Sequence, residues 1–174
     1  MTRSFNAEAL TYLKNRCNTN KVRLTQQRRK VYDVLLSAER ALSAYELTKL
    51  YNSRFSRKII ATSVYRILDF LIEMELAYRL ETINKFIASA QSDKRVANSA
   101  SYYFPIFVIC VNCEDVSELS VPYSLMHQMK KIADSPQFKV IDSKIELKGL
   151  CTNCEPTFNA NQKGVQVEKT IRFE

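Results

Sequence analysis

The sequence predicts an α+β protein made of two small domains, and three observations support this. Apolar residues recur at helical spacing up to about residue 75 and then alternate, as they do in short strands. Charge is unevenly divided: residues 1–82 contain 15 Lys and Arg against 8 Asp and Glu, whereas residues 83–174 contain 11 against 10. Two CxxC motifs lie in the second half. With 174 residues, 46% of them hydrophobic, the chain can bury two cores.

Four helices are predicted in the first half. They cover residues 5–17, 24–38, 42–53 and 58–75. Thr25 is a candidate N-cap for the second helix, and Ser43 with Glu46 has capping-box spacing for the third. The fourth helix turns one apolar face inward, formed by Ile60, Val64, Ile67, Leu68 and Leu71. Its outer face carries Thr62, Tyr65, Arg66 and Asp69.

Two short strands follow the helices, at residues 77–80 and 85–88, with a turn between them. This order of elements, several helices and then a hairpin, is typical of a winged helix-turn-helix. The last helix of that fold lies in the DNA major groove. Arginine can donate two hydrogen bonds to guanine there, and aromatic groups pack against thymine methyls, so Tyr65 and Arg66 have suitable chemistry. Alternatively, this pair belongs to a solvated face, with Arg66 forming ion pairs to Asp69 or Glu73.

The basic first half favours a polyanionic partner, because its net charge of +7 provides most of the total of +8. No apolar run reaches the roughly 18 residues of a membrane span. Glu8 and Lys14 lie where a signal peptide would have its apolar core. We therefore expect a cytoplasmic protein without a membrane partner, in which thiols stay reduced.

The second half begins after a polar segment of small residues. We assign residues 1–88 to the first domain, 89–103 to a linker, 104–154 to the second domain and 155–174 to a tail. The second domain is a small α/β unit: two strands around the first CxxC motif, one helix and a final strand region. The helix has a stripe of Leu125, Met129 and Ile132, and the final region has strand positions at Val140, Ile145 and Leu147.

Four cysteines predict a structural zinc ion, one per chain. Cys110 with Cys113 and Cys151 with Cys154 are two knuckles whose thiolates can form a tetrahedron. The 37 residues between the pairs mean that the metal would join two separate parts of the domain. A rubredoxin-type iron site would use the same ligands, and two disulfides are disfavoured by a reducing compartment. Cys17 is distant in sequence and is interpreted as buried helix filler.

Enzymatic activity and a small-molecule substrate are not expected. Two glycines cannot form a Gly-rich phosphate loop, and one histidine excludes the usual hydrolytic constellations. A closed four-thiolate zinc also leaves no open position for catalysis.

The succession of segments over residues 6–154 resembles the ferric uptake regulator (Fur) family, and within it the zinc-sensing branch. The matching segments are RLTQQRRKVYDVL, LSAYEL, ATSVYRILDFLIE, YRLETINKFI, FVICVNC and GLCTNC. The resemblance implies a winged-helix DNA-binding domain, a hinge, and a dimerisation domain with a structural zinc. It also implies a repressor that binds AT-rich inverted repeats of double-stranded DNA as a homodimer when its regulatory metal is present.

The resemblance also implies which residues contact DNA. Tyr65 and Arg66 match the recognition-helix positions, and Tyr45 matches a second base-contacting position. Thr62 shares the outer face with them. Contacts with phosphates are expected from Arg23, Arg28, Arg57 and Lys58.

The chain departs from the family at the regulatory metal site. Matched by motif, the two expected histidines fall on Tyr78 and Tyr103 and the cysteine on Ser89, so that only Glu118 is retained. Tyrosine and serine are poor zinc ligands. We therefore expect a degenerate sensory site, with DNA binding that needs no regulatory zinc.

Two alternatives to this interpretation remain open. His127, Glu118 and either Glu114 or Asp115 could instead form a weaker second site, better suited to manganese or iron. The protein could also act by forming mixed dimers with a metal-sensing paralogue rather than by reading DNA itself.

Overall fold

The computed structural model describes residues 5–89, 103–134, 137–140 and 144–155. Most of the predicted linker and almost all of the predicted tail therefore lie outside the described residues. The first part of the chain forms four helices and then a hairpin, which confirms the predicted order. Its elements are α1 (Phe5–Thr19), α2 (Gln26–Ser37), α3 (Ala44–Arg54), α4 (Ala61–Glu73), β1 (Ala77–Leu80) and β2 (Lys85–Ala88).

One hydrophobic core holds the four helices and the hairpin together. Cys17 of α1 belongs to this core and is 1% exposed, which confirms its interpretation as helix filler. Burial raises the pKa of the Cys17 thiol, against the opposite effect of the Arg28 charge. A raised pKa keeps the group a neutral thiol, which packs as a small hydrophobe.

Both predicted helix caps are confirmed. Thr25 Oγ1 accepts the Arg28 N–H at 3.3 Å at the start of α2. At the start of α3, Ser43 Oγ accepts the Glu46 N–H at 3.2 Å, and the Glu46 carboxylate accepts the Ser43 N–H at 2.8 Å. The Ser43 N–H lowers the pKa of Glu46 to about 2, with the Ser43 hydroxyl and Arg40 acting in the same direction against partial burial.

Helix α4 starts three residues later than predicted, and this corrects one residue assignment. Ile60 was expected on the inner face, but it is the N-cap of α4, has an extended backbone and is 68% exposed. Ile59 takes the place in the core and is 5% exposed. The physical reason is the change of period: side chains of extended residues alternate between two sides, so neighbouring isoleucines face opposite ways.

The hairpin, here called the wing (residues 77–88), is antiparallel and pairs Ala77 with Ala88. Asn84 lies in its turn with φ of 50°, a left-handed conformation that asparagine tolerates better than most residues. Leu42 and Phe86 exchange two backbone hydrogen bonds of 2.8 Å, so the segment before α3 also pairs with the wing. The wing is thereby fixed to the helices on one side.

The second part of the chain is a three-stranded sheet with one helix. Its elements are β3 (Tyr103–Cys110), β4 (Val116–Pro122), α5 (Tyr123–Ala133) and β5 (Ile145–Gly149). The strand order is β4-β3-β5, with β3 antiparallel to β4 and parallel to β5. Val140 was predicted in a strand but lies outside it, because its N–H is donated to Asp134 Oδ1 at 2.8 Å instead of to a strand partner.

Helix α5 is amphipathic but largely uncovered in the single chain. Met126 is buried, whereas the predicted stripe of Leu125, Met129 and Ile132 is exposed by 45%, 44% and 84%. These three side chains form an exposed apolar stripe along α5. None of the helices in the described ranges is both long and apolar enough to cross a membrane.

We expect Ser43→Ala to lower the free energy of unfolding by about 1 kcal/mol, because the N–H of Glu46 loses its acceptor at the start of α3. Chemical denaturation of the zinc-loaded protein measures this change.

The matched control is Ser53→Ala at the other end of α3. The Ser53 hydroxyl is exposed and donates to Leu50 O at 2.8 Å. This substitution should change stability by less than about 0.5 kcal/mol. Equal losses in the two variants would contradict the role assigned to the cap.

Candidate functional site

The four cysteines of the second domain meet at one end of its sheet. Cys110 is the last residue of β3, and Cys151 follows the end of β5 by two positions. Because these strands are parallel, with Cys110 opposite Gly149, both knuckles lie at the same end of the sheet, where the two strands finish. The topology therefore explains how two motifs separated by 37 residues reach one point.

The sulfur atoms have the spacing of a metal site. All four Sγ atoms lie within 4.8 Å of one another, and Cys113 Sγ is 3.7 Å from Cys151 Sγ. Four thiolates about 2.3 Å from a tetrahedral zinc ion would lie about 3.8 Å apart. A disulfide needs sulfurs only about 2.05 Å apart, and all five cysteines are free. The disulfide alternative is therefore excluded for this geometry.

The pKa shifts of the thiols also indicate a site for a cation. Backbone N–H groups of Cys113, Cys151 and Asn112 lower the pKa of the Cys110 thiol to about 6. The Asp115 N–H lowers the pKa of Cys113, but the neighbouring sulfurs of Cys110 and Cys154 outweigh it and raise that pKa to about 12. Crowded sulfurs resist joint ionisation until a dication balances them, so the four residues form a closed site suited to one structural zinc.

The four positions predicted for the sensory site lie on or next to four different strands. Tyr78 is on β1, Ser89 follows β2, Tyr103 begins β3, and Glu118 is on β4 opposite Phe107. The Tyr78 ring packs against the Phe107 ring with centroids 5.0 Å apart. Ser89 is 3% exposed, and its N–H is donated to Leu76 O at 2.9 Å. An aromatic contact thus occupies one of the positions where the resemblance predicts an imidazole.

No second cluster of metal ligands is present among the residues that the structure describes. Within those ranges, only the four cysteines bring at least three His, Cys, Asp or Glu side chains to metal-site spacing. His127 is exposed on α5 and does not join Glu118, Glu114 or Asp115 in such a group.

Glu146 of β5 holds the wing turn to the second domain. Its carboxylate accepts the Glu81 N–H at 2.8 Å and the Thr82 N–H at 2.9 Å. Next to it, Lys144 Nζ donates to Arg79 O at 3.0 Å. Partial burial raises the pKa of Glu146, but hydrogen bonds from Thr82 and Glu81 and the Lys144 charge outweigh this and hold that pKa below its ordinary value. We call these contacts of Glu146 and Lys144 the wing latch.

An apolar cluster and an ion pair complete the junction. Lys85 Nζ lies 2.6 Å from Glu114 Oε2, and the Lys85 side chain is 19% exposed. The cluster joins both domains through buried Ala41, Leu80, Phe107 and Ile109, with Tyr78, Ile83, Ile87 and Val116 around them. No local pattern in the sequence marks the junction, because Glu146 and Lys144 contact groups about 65 residues away and Lys85 is 29 residues from Glu114.

The predicted base-contacting residues lie on exposed surface. Thr62, Tyr65 and Arg66 are exposed on α4, with Tyr65 at 38%. Tyr45 is 71% exposed in the first turn of α3. The Tyr65 ring meets the edge of the Phe86 ring, with centroids 6.2 Å apart, which links α4 to the wing.

The four predicted phosphate contacts divide into two kinds. Arg23 and Arg57 are exposed. Arg28 stacks on the Phe70 ring at 3.7 Å from its centroid and donates from Nη1 to Arg23 O at 2.7 Å. Lys58 Nζ donates to two carbonyls at the end of α3. Arg28 and Lys58 therefore have structural roles as well, which the position of Lys58 just after a helix could have indicated.

We expect wild-type protein to contain one zinc ion per chain. The Cys113→Ser variant should lose this zinc, because three thiolates no longer close the tetrahedron. Elemental analysis of the purified proteins measures the metal. Cys17→Ala is the matched control, since Cys17 lies in the other core, and should retain one zinc per chain. Wild-type protein purified with iron, or with no metal, would contradict the assignment.

Comparison with known proteins agrees with this architecture. The model of the ferric uptake regulator family matches residues 19–148. The zinc uptake regulation protein of Escherichia coli (strain K12) is 28% identical over 179 aligned positions, covering 99% of this chain and 100% of that protein. The ferric uptake regulation protein of Bacillus subtilis (strain 168) is 26% identical, covering 82% of this chain and 91% of that protein.

Solved structures give the same result. A zinc uptake regulator complexed with zinc and DNA has a TM-score of 0.75 and 26% identity, covering 90% of this chain and 99% of that chain. The structure described as holo XcZur has a TM-score of 0.69 and 25% identity, covering 87% and 99%. With most of its length matched by the family model, the chain belongs to the ferric uptake regulator family.

Proposed function

We propose that this protein is a transcriptional repressor that binds AT-rich inverted repeats as a homodimer in the cytoplasm and needs no regulatory zinc. The observation that carries the proposal is the outer face of α4, where Thr62, Tyr65 and Arg66 are all exposed. The similar zinc uptake regulator that was solved with zinc and DNA supports a DNA-binding role.

Base reading would come from α4 and the start of α3. A guanidinium such as that of Arg66 can donate to both acceptors of one guanine edge, and the Tyr65 ring can pack against thymine methyls. Tyr45 provides a second exposed aromatic group with a polar tip. Exposed Arg23 and Arg57 would supply salt-dependent phosphate contacts, with Arg28 and Lys58 contributing charge near them.

The exposed apolar face of α5 supports a homodimer. Burial of the exposed parts of Leu125, Met129 and Ile132 in an interface would stabilise it by on the order of several kcal/mol. A two-fold axis lets one such face cover its copy, because an isologous interface uses the same surface twice. Two α4 helices related by that axis would read two half-sites of opposite direction, so the operator would be an inverted repeat.

The junction supports independence from a regulatory zinc. In place of a ligand set, Tyr78 packs on Phe107, and the wing latch adds hydrogen bonds between the domains. These contacts can do what a bound metal would do, which is to hold the wing and α4 at one angle to the second domain. The DNA-binding arrangement would then be the resting state.

Equal DNA affinity is expected with added zinc and with a mild chelator that spares the four-thiolate site. Fluorescence anisotropy on an AT-rich inverted-repeat duplex at one fixed salt concentration measures the dissociation constant. Isothermal titration should find no second tight zinc per chain. Binding that appears only with added metal would refute the proposed independence, and His127 and Glu118 would be substituted next.

Arg66→Ala should weaken binding at least about fivefold, since a lost bidentate guanine contact costs about 1 to 3 kcal/mol. Lys148→Ala is the matched control, because it removes one exposed cation from β5. Regulation in cells that persists in the Arg66→Ala variant would favour the alternative role, in which the protein acts through mixed dimers with a metal-sensing paralogue.

Glu146→Gln should weaken DNA binding about three- to tenfold without changing the zinc content. The amide keeps the shape of the side chain but loses its charge, and an amide NH₂ would face one of the N–H groups of the wing turn. Anisotropy and elemental analysis measure the two quantities.

The control for this substitution is Glu73→Gln, an exposed carboxylate in the last turn of α4. It changes the charge of the chain by the same amount without touching the wing latch. If both variants bound DNA like wild type, the latch would not set the DNA-binding arrangement.

A further inference from the structure

An isoleucine is exposed at the entrance to α4. Ile60 is 68% exposed, immediately before the helix that carries Tyr65 and Arg66. A side chain of this size gains about 1.5 to 3 kcal/mol when it is fully buried, so a contact that covered Ile60 would add affinity beside α4. Its neighbours Arg57, Lys58 and Thr62 are all exposed and polar.

The backbone around Ile60 is held in place by Asn52. Asn52 Oδ1 accepts the Ile59 N–H at 2.8 Å, and Asn52 Nδ2 donates to Ile59 O at 2.9 Å. Lys58 Nζ also donates to Asn52 O, which ties the same loop to the end of α3. With Ile59 fixed in the core, the extended backbone of residue 60 directs its side chain outward.

These contacts make Ile60 a preorganised apolar group. A β-branched side chain has few rotamers, so little entropy is lost when it is ordered in a complex. The N-terminal residues of a recognition helix contact base edges in the major groove. The thymine C5-methyl is the apolar group displayed there, and the other base-edge groups are hydrogen-bond donors or acceptors.

We propose that Ile60 is a specificity-determining residue that packs on a thymine methyl of the operator; this rests on the proposed function. Ile60 lies at the start of α4, and Arg66 is about 8 Å further along the helix, so the two residues would contact different base pairs of one half-site. Arg66 then selects guanine by hydrogen bonds, and Ile60 selects thymine by apolar contact.

The test pairs a substitution in the protein with removal of single methyl groups from the DNA. A duplex selected by the wild-type protein from a random pool is resynthesised with each thymine of one half-site replaced in turn by deoxyuridine. Deoxyuridine at a position that Tyr65 contacts should weaken wild-type and Ile60→Ala binding alike. Deoxyuridine at the position that Ile60 contacts should weaken wild-type binding about fourfold, which corresponds to one buried methyl group. At that position, Ile60→Ala should bind the two duplexes equally, and Ile60→Val should retain part of the preference.

Leu50→Ala is the matched control. Leu50 is 39% exposed and lies about 140° around α3 from Tyr45, so it should keep the wild-type response to deoxyuridine. Thermal unfolding of Ile60→Ala should match wild type, because the side chain is exposed. A lower melting temperature together with an unchanged deoxyuridine profile would overturn the proposal and give Ile60 a structural role.

The role of Ile60 and the proposed function can be refuted separately. If wild-type protein selects no duplex, the proposed function fails and the role of Ile60 fails with it. If wild type binds and Arg66→Ala does not, while Ile60→Ala shows the wild-type deoxyuridine profile, only the role of Ile60 is overturned.

Discussion

The contact between the wing and the second domain is the constraint on which the rest of the arrangement depends. The wing is tied to the helices by the Leu42–Phe86 pair and to the second sheet by Glu146, so it connects the face of α4 proposed to read bases to the part of the chain that carries α5. If the wing moved relative to β5, the angle between these two faces would change. A dimer with a variable angle cannot hold two recognition helices at one half-site spacing.

The contributions to this contact are unequal. Lys85 and Glu114 form an ion pair in which Glu114 is half exposed, and such pairs contribute about 0 to 1 kcal/mol. Glu146 accepts two N–H groups with an ionised carboxylate, and hydrogen bonds to charged groups contribute about 1.5 to 3 kcal/mol. The cluster around buried Leu80 and Phe107 adds an apolar contribution that acts at any angle where it stays covered. Glu146 therefore fixes the orientation of the wing relative to β5, and the apolar cluster holds the two surfaces together.

Features with local causes could be predicted from the sequence. Thr25 and Ser43 cap helices because their acceptors lie three residues from the donors, and the two CxxC motifs identify themselves by spacing. Ile60 was misassigned because helical periodicity was extended across a residue whose backbone is not helical. Glu146 and Lys144 could not be recognised, since their partners are backbone groups about 65 residues away, which carry no sequence signal.

One short segment of chain takes part in both the metal site and the domain contact. Within residues 144–154, Lys144 and Glu146 hold the wing, and Cys151 and Cys154 belong to the four-thiolate cluster. Thermodynamic linkage then applies: free energy that zinc contributes to ordering this segment also opposes release of the wing. Under the proposed function, the structural ion and the operator would be coupled ligands of one protein through β5. If the protein is the repressor proposed above, a structural ion would thereby influence how firmly the DNA-binding arrangement is held.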